Sequence, residues 1–184
     1  FSSSVDVESG AGFVLPTELT SLEFAGAMTL GEDVMLAVAG RSLAGLSFGD
    51  VDIRPGASLR LSGGTTLAFG AVDIQASASL AISAGTALHF AAVDIKPGAS
   101  VRLPAQLTSL YFSGALTLHE RDPPLHAASG LDIAGDCPSL DVLSFAAVEI
   151  SATTGAVTLP TGLSSLAFTG PLTISEGSAL GIEG

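Results

Sequence analysis

Residues 48–68 read FGDVDIRPGASLRLSGGTTLA, residues 69–89 read FGAVDIQASASLAISAGTALH, and residues 90–111 read FAAVDIKPGASVRLPAQLTSLY. One pattern is written three times here, and it decides the fold. Each copy holds three short alternations of apolar and other residues. The first is Val-x-Ile, at Val51 and Ile53, Val72 and Ile74, and Val93 and Ile95. The second is Leu59 and Leu61, Leu80 and Ile82, Val101 and Leu103. The third ends on phenylalanine: Leu67 and Phe69, Leu88 and Phe90, Leu110 and Phe112. A period of two belongs to a strand with one apolar face. A single copy cannot bury that face, whereas stacked copies bury it continuously.

Working outward, phenylalanine recurs at 1, 24, 48, 69, 90, 112, 145 and 168, with spacings of 23, 24, 21, 21, 22, 33 and 23. The outer copies keep the pattern as LTSLEFAGAMTL (19–30), LTSLYFSGALTL (107–118) and LSSLAFTGPLTI (163–174). Bend residues separate the alternations. Pro55-Gly56, Pro97-Gly98 and Glu176-Gly177 follow the first strand; Pro16, Gly63-Gly64, Pro104 and Pro160 follow the second. Glycine supplies backbone angles a bend requires, and proline lacks the donor that a ladder interior uses. The expectation is an all-β fold, a parallel β-solenoid with three strands per coil, in about eight coils of 21–24 residues spanning 1–184. At ~4.8 Å per coil this is a rod roughly 35–40 Å long.

One coil is longer. About 11 extra residues separate Phe112 from Phe145, carried by HERDPPLHAASG and IAGDCPSL, and the spacing predicts a loop insertion at about 119–139, thrown out from the wall and dispensable to folding. The series opens on a phenylalanine and stops after a second strand. The chain therefore reads as a segment of a longer one, its two ends covered by neighbouring repeats or by protein partners.

Composition narrows the uses of such a rod. The chain is 47% hydrophobic and 13% charged, which suits a long core. No apolar run approaches the ~18 residues of a spanning helix. Eighteen acidic against six basic residues leave a net charge of −12. Nucleic acid and anionic lipid are both recognised through Lys and Arg, so both are disfavoured as partners. Cys137 stands alone and excludes an intramolecular disulfide.

The repeat resembles the parallel β-helix passenger and adhesin-type domains, which share alternating strands and Gly-rich corners. The LTSLxF element after Leu15-Pro16, Leu103-Pro104 or Leu159-Pro160 is also similar to the short FNIP and leucine-rich repeats. It lacks their asparagine, since the sequence contains no Asn at all. The resemblance spans the chain and implies a fold; an extracellular or organelle-lumen setting is the expectation that goes with it.

Three groups of residues carry candidate chemistry. The middle residue of the first strand points outward and runs Asp6, Thr29, Asp52, Asp73, Asp94, Thr117, Glu149, Thr173. Asp52, Asp73 and Asp94 are thus stacked, and oxygen ligands in a row suit Ca²⁺ or a basic partner. Solvated carboxylates partly balanced by Arg54 and Lys96 are the plainer reading. A file of carboxylates also resembles β-helix carbohydrate-active enzymes superficially, but glycosidase chemistry needs two carboxylates flanking a bond in a walled cleft. His119, Glu120, Asp122, His126, Asp136 and Cys137 share the long coil without a compact zinc spacing. His89 and Tyr111 fall in adjacent coils on the third strand, and with His119, Arg121 and His126 they form a candidate partner-contact set. No catalytic or cofactor-binding set is recognised, and calcium is the one cation the acid file suits. The expected role is a structural or scaffolding repeat protein, a rigid acidic rod for protein–protein interaction, with a cation- or ligand-binding module as the alternative.

Overall fold

A computed structural model describes residues 3–8, 20–38, 44–119, 131–151 and 156–183. The first coil contributes β1 (Val5–Val7) and β2 (Ser21–Phe24). β3 (Met28–Leu30), β4 (Met35–Val38) and β5 (Gly45–Phe48) make the next turn. β6 (Val51–Ile53) and β7 (Ser58–Leu61) lead into β8 (Thr66–Ile74), which serves as the third strand of one turn and the first of the next. β9 (Ser79–Ile82), β10 (Ala87–Ile95), β11 (Ser100–Arg102) and β12 (Ser109–Leu118) repeat that arrangement. The long coil supplies β13 (Leu131–Asp132), one helical turn α1 (Ile133–Asp136) and β14 (Val142–Ile150). β15 (Ala156–Pro160), β16 (Ser165–Phe168), β17 (Leu172–Ile174) and β18 (Ala179–Glu183) complete the described chain. Six turns, from β3–β5 to β14–β16, have all three strands described, and every strand pairing among the described residues is parallel. The chain is a parallel β-solenoid.

The register follows the sequence repeat without slip along the first-strand face. Asp6, Thr29, Asp52, Asp73, Asp94, Thr117, Glu149 and Thr173 are successive partners across the rungs. Between these outward residues the apolar ones turn inward. Val51, Ile53, Val72, Ile74, Val93 and Ile95 are all buried, as are Leu59, Leu61, Leu80 and Ile82 on the second strand. A one-residue slip would turn every one of them to solvent, so burial itself holds the register.

Phenylalanine fills the third face. Phe24, Phe48, Phe69, Phe90, Phe112, Phe145 and Phe168 form one internal stack, with ring centroids 4.9–5.4 Å apart and ring planes within 17° of parallel. The centroid spacing tracks the rung spacing of the ladder. The ladder therefore sets the spacing, and the rings occupy it.

The corner after the first strand is equally regular. Residues 33, 56, 77, 98 and 177 all have positive φ, between 55° and 81°. Ala57, Ala78 and Ala99 each close the turn by donating a backbone N–H to the carbonyl three residues earlier. Pro55-Gly56 and Pro97-Gly98 place proline and glycine at the two central positions, the order of a type II turn. Asp33 and Ser77 hold the same left-handed conformation without being glycine, so the surrounding ladder over-determines them.

The long coil departs from the expected loop at 119–139. Residues 120–130 lie outside the described residues, but 131–139 is not an excursion. Leu131, Ile133 and Cys137 are buried in the common core, together with Leu140. β13 pairs in register with β15 as the second strand of its coil. Asp132 caps α1, accepting from Gly135 N–H at 2.7 Å and from Thr158 Oγ1 at 2.5 Å. The coil thus keeps its inward residues and replaces the usual turn by a capped helical one.

The stack yields a test of the register. Phe90→Ala opens a cavity between Phe69 and Phe112 and is expected to lower stability by about 3–5 kcal/mol in denaturant unfolding. A loss below about 1 kcal/mol is incompatible with a buried ring at that position.

Candidate functional site

The aspartate file lies in an open trough of about 440 Å³ along the first-strand face. Its sides are set by the corner through which β8, β10 and β12 run. Ala71, Ala92 and Ala115 line the trough at that corner, and small side chains leave the space above Asp73 and its neighbours open. In the sequence the hollow is marked by the alanines two or three positions after Phe69, Phe90 and Phe112.

Within the trough the three carboxylates share one arrangement. Each has its Oδ2 answered by the residue two positions on. Arg54 Nε stands 3.6 Å from Asp52, Gln75 Nε2 donates to Asp73 at 2.8 Å, and Lys96 Nζ to Asp94 at 2.7 Å. Each Oδ1 is buried and makes no hydrogen bond. His119 Nε2 lies 2.6 Å from Asp94 Oδ1, an ion pair only when the ring is protonated, and 3.2 Å from Lys96 Nζ. The side chains of these pairs are between 28% and 55% exposed, so each contributes at most about 1 kcal/mol.

Asp73 bears the consequence. Burial disfavours its charged form, and Asp94 and then Asp52 add like-charge repulsion. Lys96 and the Gln75 hydrogen bond oppose these, and the net effect holds its pKa above the ordinary carboxylate value. Asp132, outside the trough, goes the other way. The Thr158 hydroxyl and the Gly135 N–H both favour its carboxylate and lower its pKa.

The other candidates are distributed rather than gathered. His89 and Tyr111 are register partners on the third-strand face, both exposed. His119 belongs to the aspartate trough instead, while Arg121 and His126 lie outside the described residues. Of the zinc candidates, Glu120, Asp122 and His126 also lie outside them. Asp136 Oδ2 accepts from the Leu103 N–H at 3.0 Å. Cys137 is fully buried, and burial with the nearby charges of Asp136 and Asp132 pushes its thiol up to about 12. A protonated core thiol is a packing residue, not a ligand. Among the described residues no three His, Cys, Asp or Glu side chains converge on a point that could hold a metal ion.

The raised Asp73 pKa fixes the sign of a pH effect. The folded state binds its proton more tightly than the unfolded chain does, so ionisation destabilises the fold. That penalty is absent below the ordinary carboxylate pKa, grows as pH rises through the folded-state value, and is complete above it. Asp73→Asn is expected to melt above the parent at neutral pH, by a few tenths of a kcal/mol as for other exposed charge pairs. The advantage should vanish in thermal melts near pH 3 and shrink with added salt.

No family model matches the chain, and neither a curated protein nor a solved structure is similar to it. The parallel β-solenoid stands on the ladder itself, without assignment to an adhesin or any other class.

Proposed function

We propose that this chain is a scaffold, a rigid acidic rod for protein–protein interaction along its side faces. The observation that carries this reading is the single continuous core, in which stacked phenylalanines and in-register rungs tie each coil to the next. Such a core supports rigidity, and the net charge of −12 favours basic surfaces on the partners that meet the sides.

The test is association with basic against acidic proteins of similar size, using lysozyme as the basic probe. Co-sedimentation with lysozyme that weakens with added salt is expected, and none with an acidic protein. Asp52→Asn with Asp94→Asn should weaken it while leaving the β-rich circular dichroism intact. Equal behaviour toward both proteins, or a double variant that binds undiminished, counts against contact through the acidic side.

A second reading uses the aspartate trough as a seat for a cationic group. The buried Oδ1 atoms of Asp52 and Asp73, which make no hydrogen bond, favour it. They favour a basic side chain of a partner over a metal ion, because carboxylates in a line do not surround a point. Millimolar Ca²⁺ is therefore expected to leave the melting temperature unchanged. A calcium-dependent rise abolished by Asp73→Asn would make the trough a metal site.

A further inference from the structure

The second-strand face carries a trough of its own, of about 460 Å³, and its chemistry is opposite to that of the aspartate file. Arg60 and Arg102 are each one rung from Ala81 in the parallel register, on either side of it. Two rungs separate their backbones by roughly 9.6 Å. The small alanine leaves the rung between them empty, so both long side chains have room to lean over it. Alongside runs a second file, Ser58, Ser79 and Ser100, again in register. Ser79 Oγ donates to Ser58 Oγ at 2.9 Å, which leaves the Ser58 hydroxyl hydrogen free to donate outward.

Charge sets this trough apart. The chain has 18 acidic residues and only six basic ones. Of the four basic residues among those described, Arg54 and Lys96 pair with aspartates, while Arg60 and Arg102 make no ion pair. No carboxylate lines the trough. Two unpaired guanidinium groups and a row of hydroxyls face one space, and every free polar group in it can donate.

We infer that Arg60 and Arg102, bridging over Ala81 beside the serine file, form a binding site for a tetrahedral oxyanion of the phosphate or sulfate type. A guanidinium matches such a group with two parallel N–H donors, and the charge-assisted bonds are about twice as strong as neutral ones. The serine hydroxyls supply the remaining donors. The ligand is free phosphate or the phosphoryl group of a small molecule, which share this chemistry. The site lies on a different face from the aspartate trough and stands or falls independently of the scaffold role.

The experiment is calorimetric titration of the chain with inorganic phosphate and with O-phosphoserine, against acetate at matched ionic strength. Saturable binding of either phosphate form is expected, and the tighter of the two identifies the source. Arg60→Gln and Arg102→Gln should each weaken it about tenfold or more, as loss of a charge-assisted hydrogen bond does. Ala81→Leu keeps both charges but fills the middle rung, and should weaken binding equally. Arg54→Gln, at a different corner, should change nothing. Absence of phosphate binding, an equal response to acetate, or binding indifferent to all three trough variants overturns the proposal.

Discussion

Parallel pairing in register, one coil on the next, is the constraint from which the rest of the molecule follows. Each residue sits roughly 4.8 Å above its own counterpart in the preceding coil. Identity between coils therefore becomes contact between identical side chains. For Phe69 on Phe90, or Ile74 on Ile95, that contact is apolar and supports the ladder that imposes it. For Asp73 between Asp52 and Asp94 the same rule forces carboxylates together, and burial first, then the neighbouring charges, raise the pKa of the middle one. The repeat answers charge at the corner, where Arg54, Gln75 and Lys96 reach back two positions.

The basic residues obey the same geometry with the opposite outcome. Arg60 and Arg102 are kept apart by Ala81, so the positive file never stacks on itself. One substitution in one coil thus changes a charged column into two separated charges with room between them. The three faces of a single repeat end up chemically distinct: an acidic trough, a basic and hydroxylated one, and a third face where His89 and Tyr111 are exposed neighbours.

Most of this was legible in the sequence because parallel stacking converts spacing directly into contact. The phenylalanine column, the outward files and the Pro-Gly corners all follow from aligning one coil on the next, and the structure places each of them in the expected register. Legibility failed where the repeat itself failed. Leu131 and Ile133 keep the inward alternation of a second strand, but the turn of helix that follows β13 masks the period that would have revealed it. The troughs were also missed. Hollows arise from what small side chains leave empty, and alternation patterns register the residues that fill space. Which chemistry the faces serve was less legible still, since a column of like residues arises from duplication whether or not it binds anything.

The hydrogen bonds between coils run along the rod, while the chain itself winds across it. Mechanical response is therefore anisotropic. A pull on the last rung along the axis loads only the bonds joining it to the coil beneath, and the rod peels one coil at a time, each step costing one rung of pairing and one ring from the stack. A pull in the direction of the strands instead loads all the bonds of a rung together in shear, and resists as a set. Nearest-neighbour stacking makes the first mode a series of similar small events. Such a rod extends by releasing coils from its end when drawn lengthwise, and holds its shape when pushed from the side.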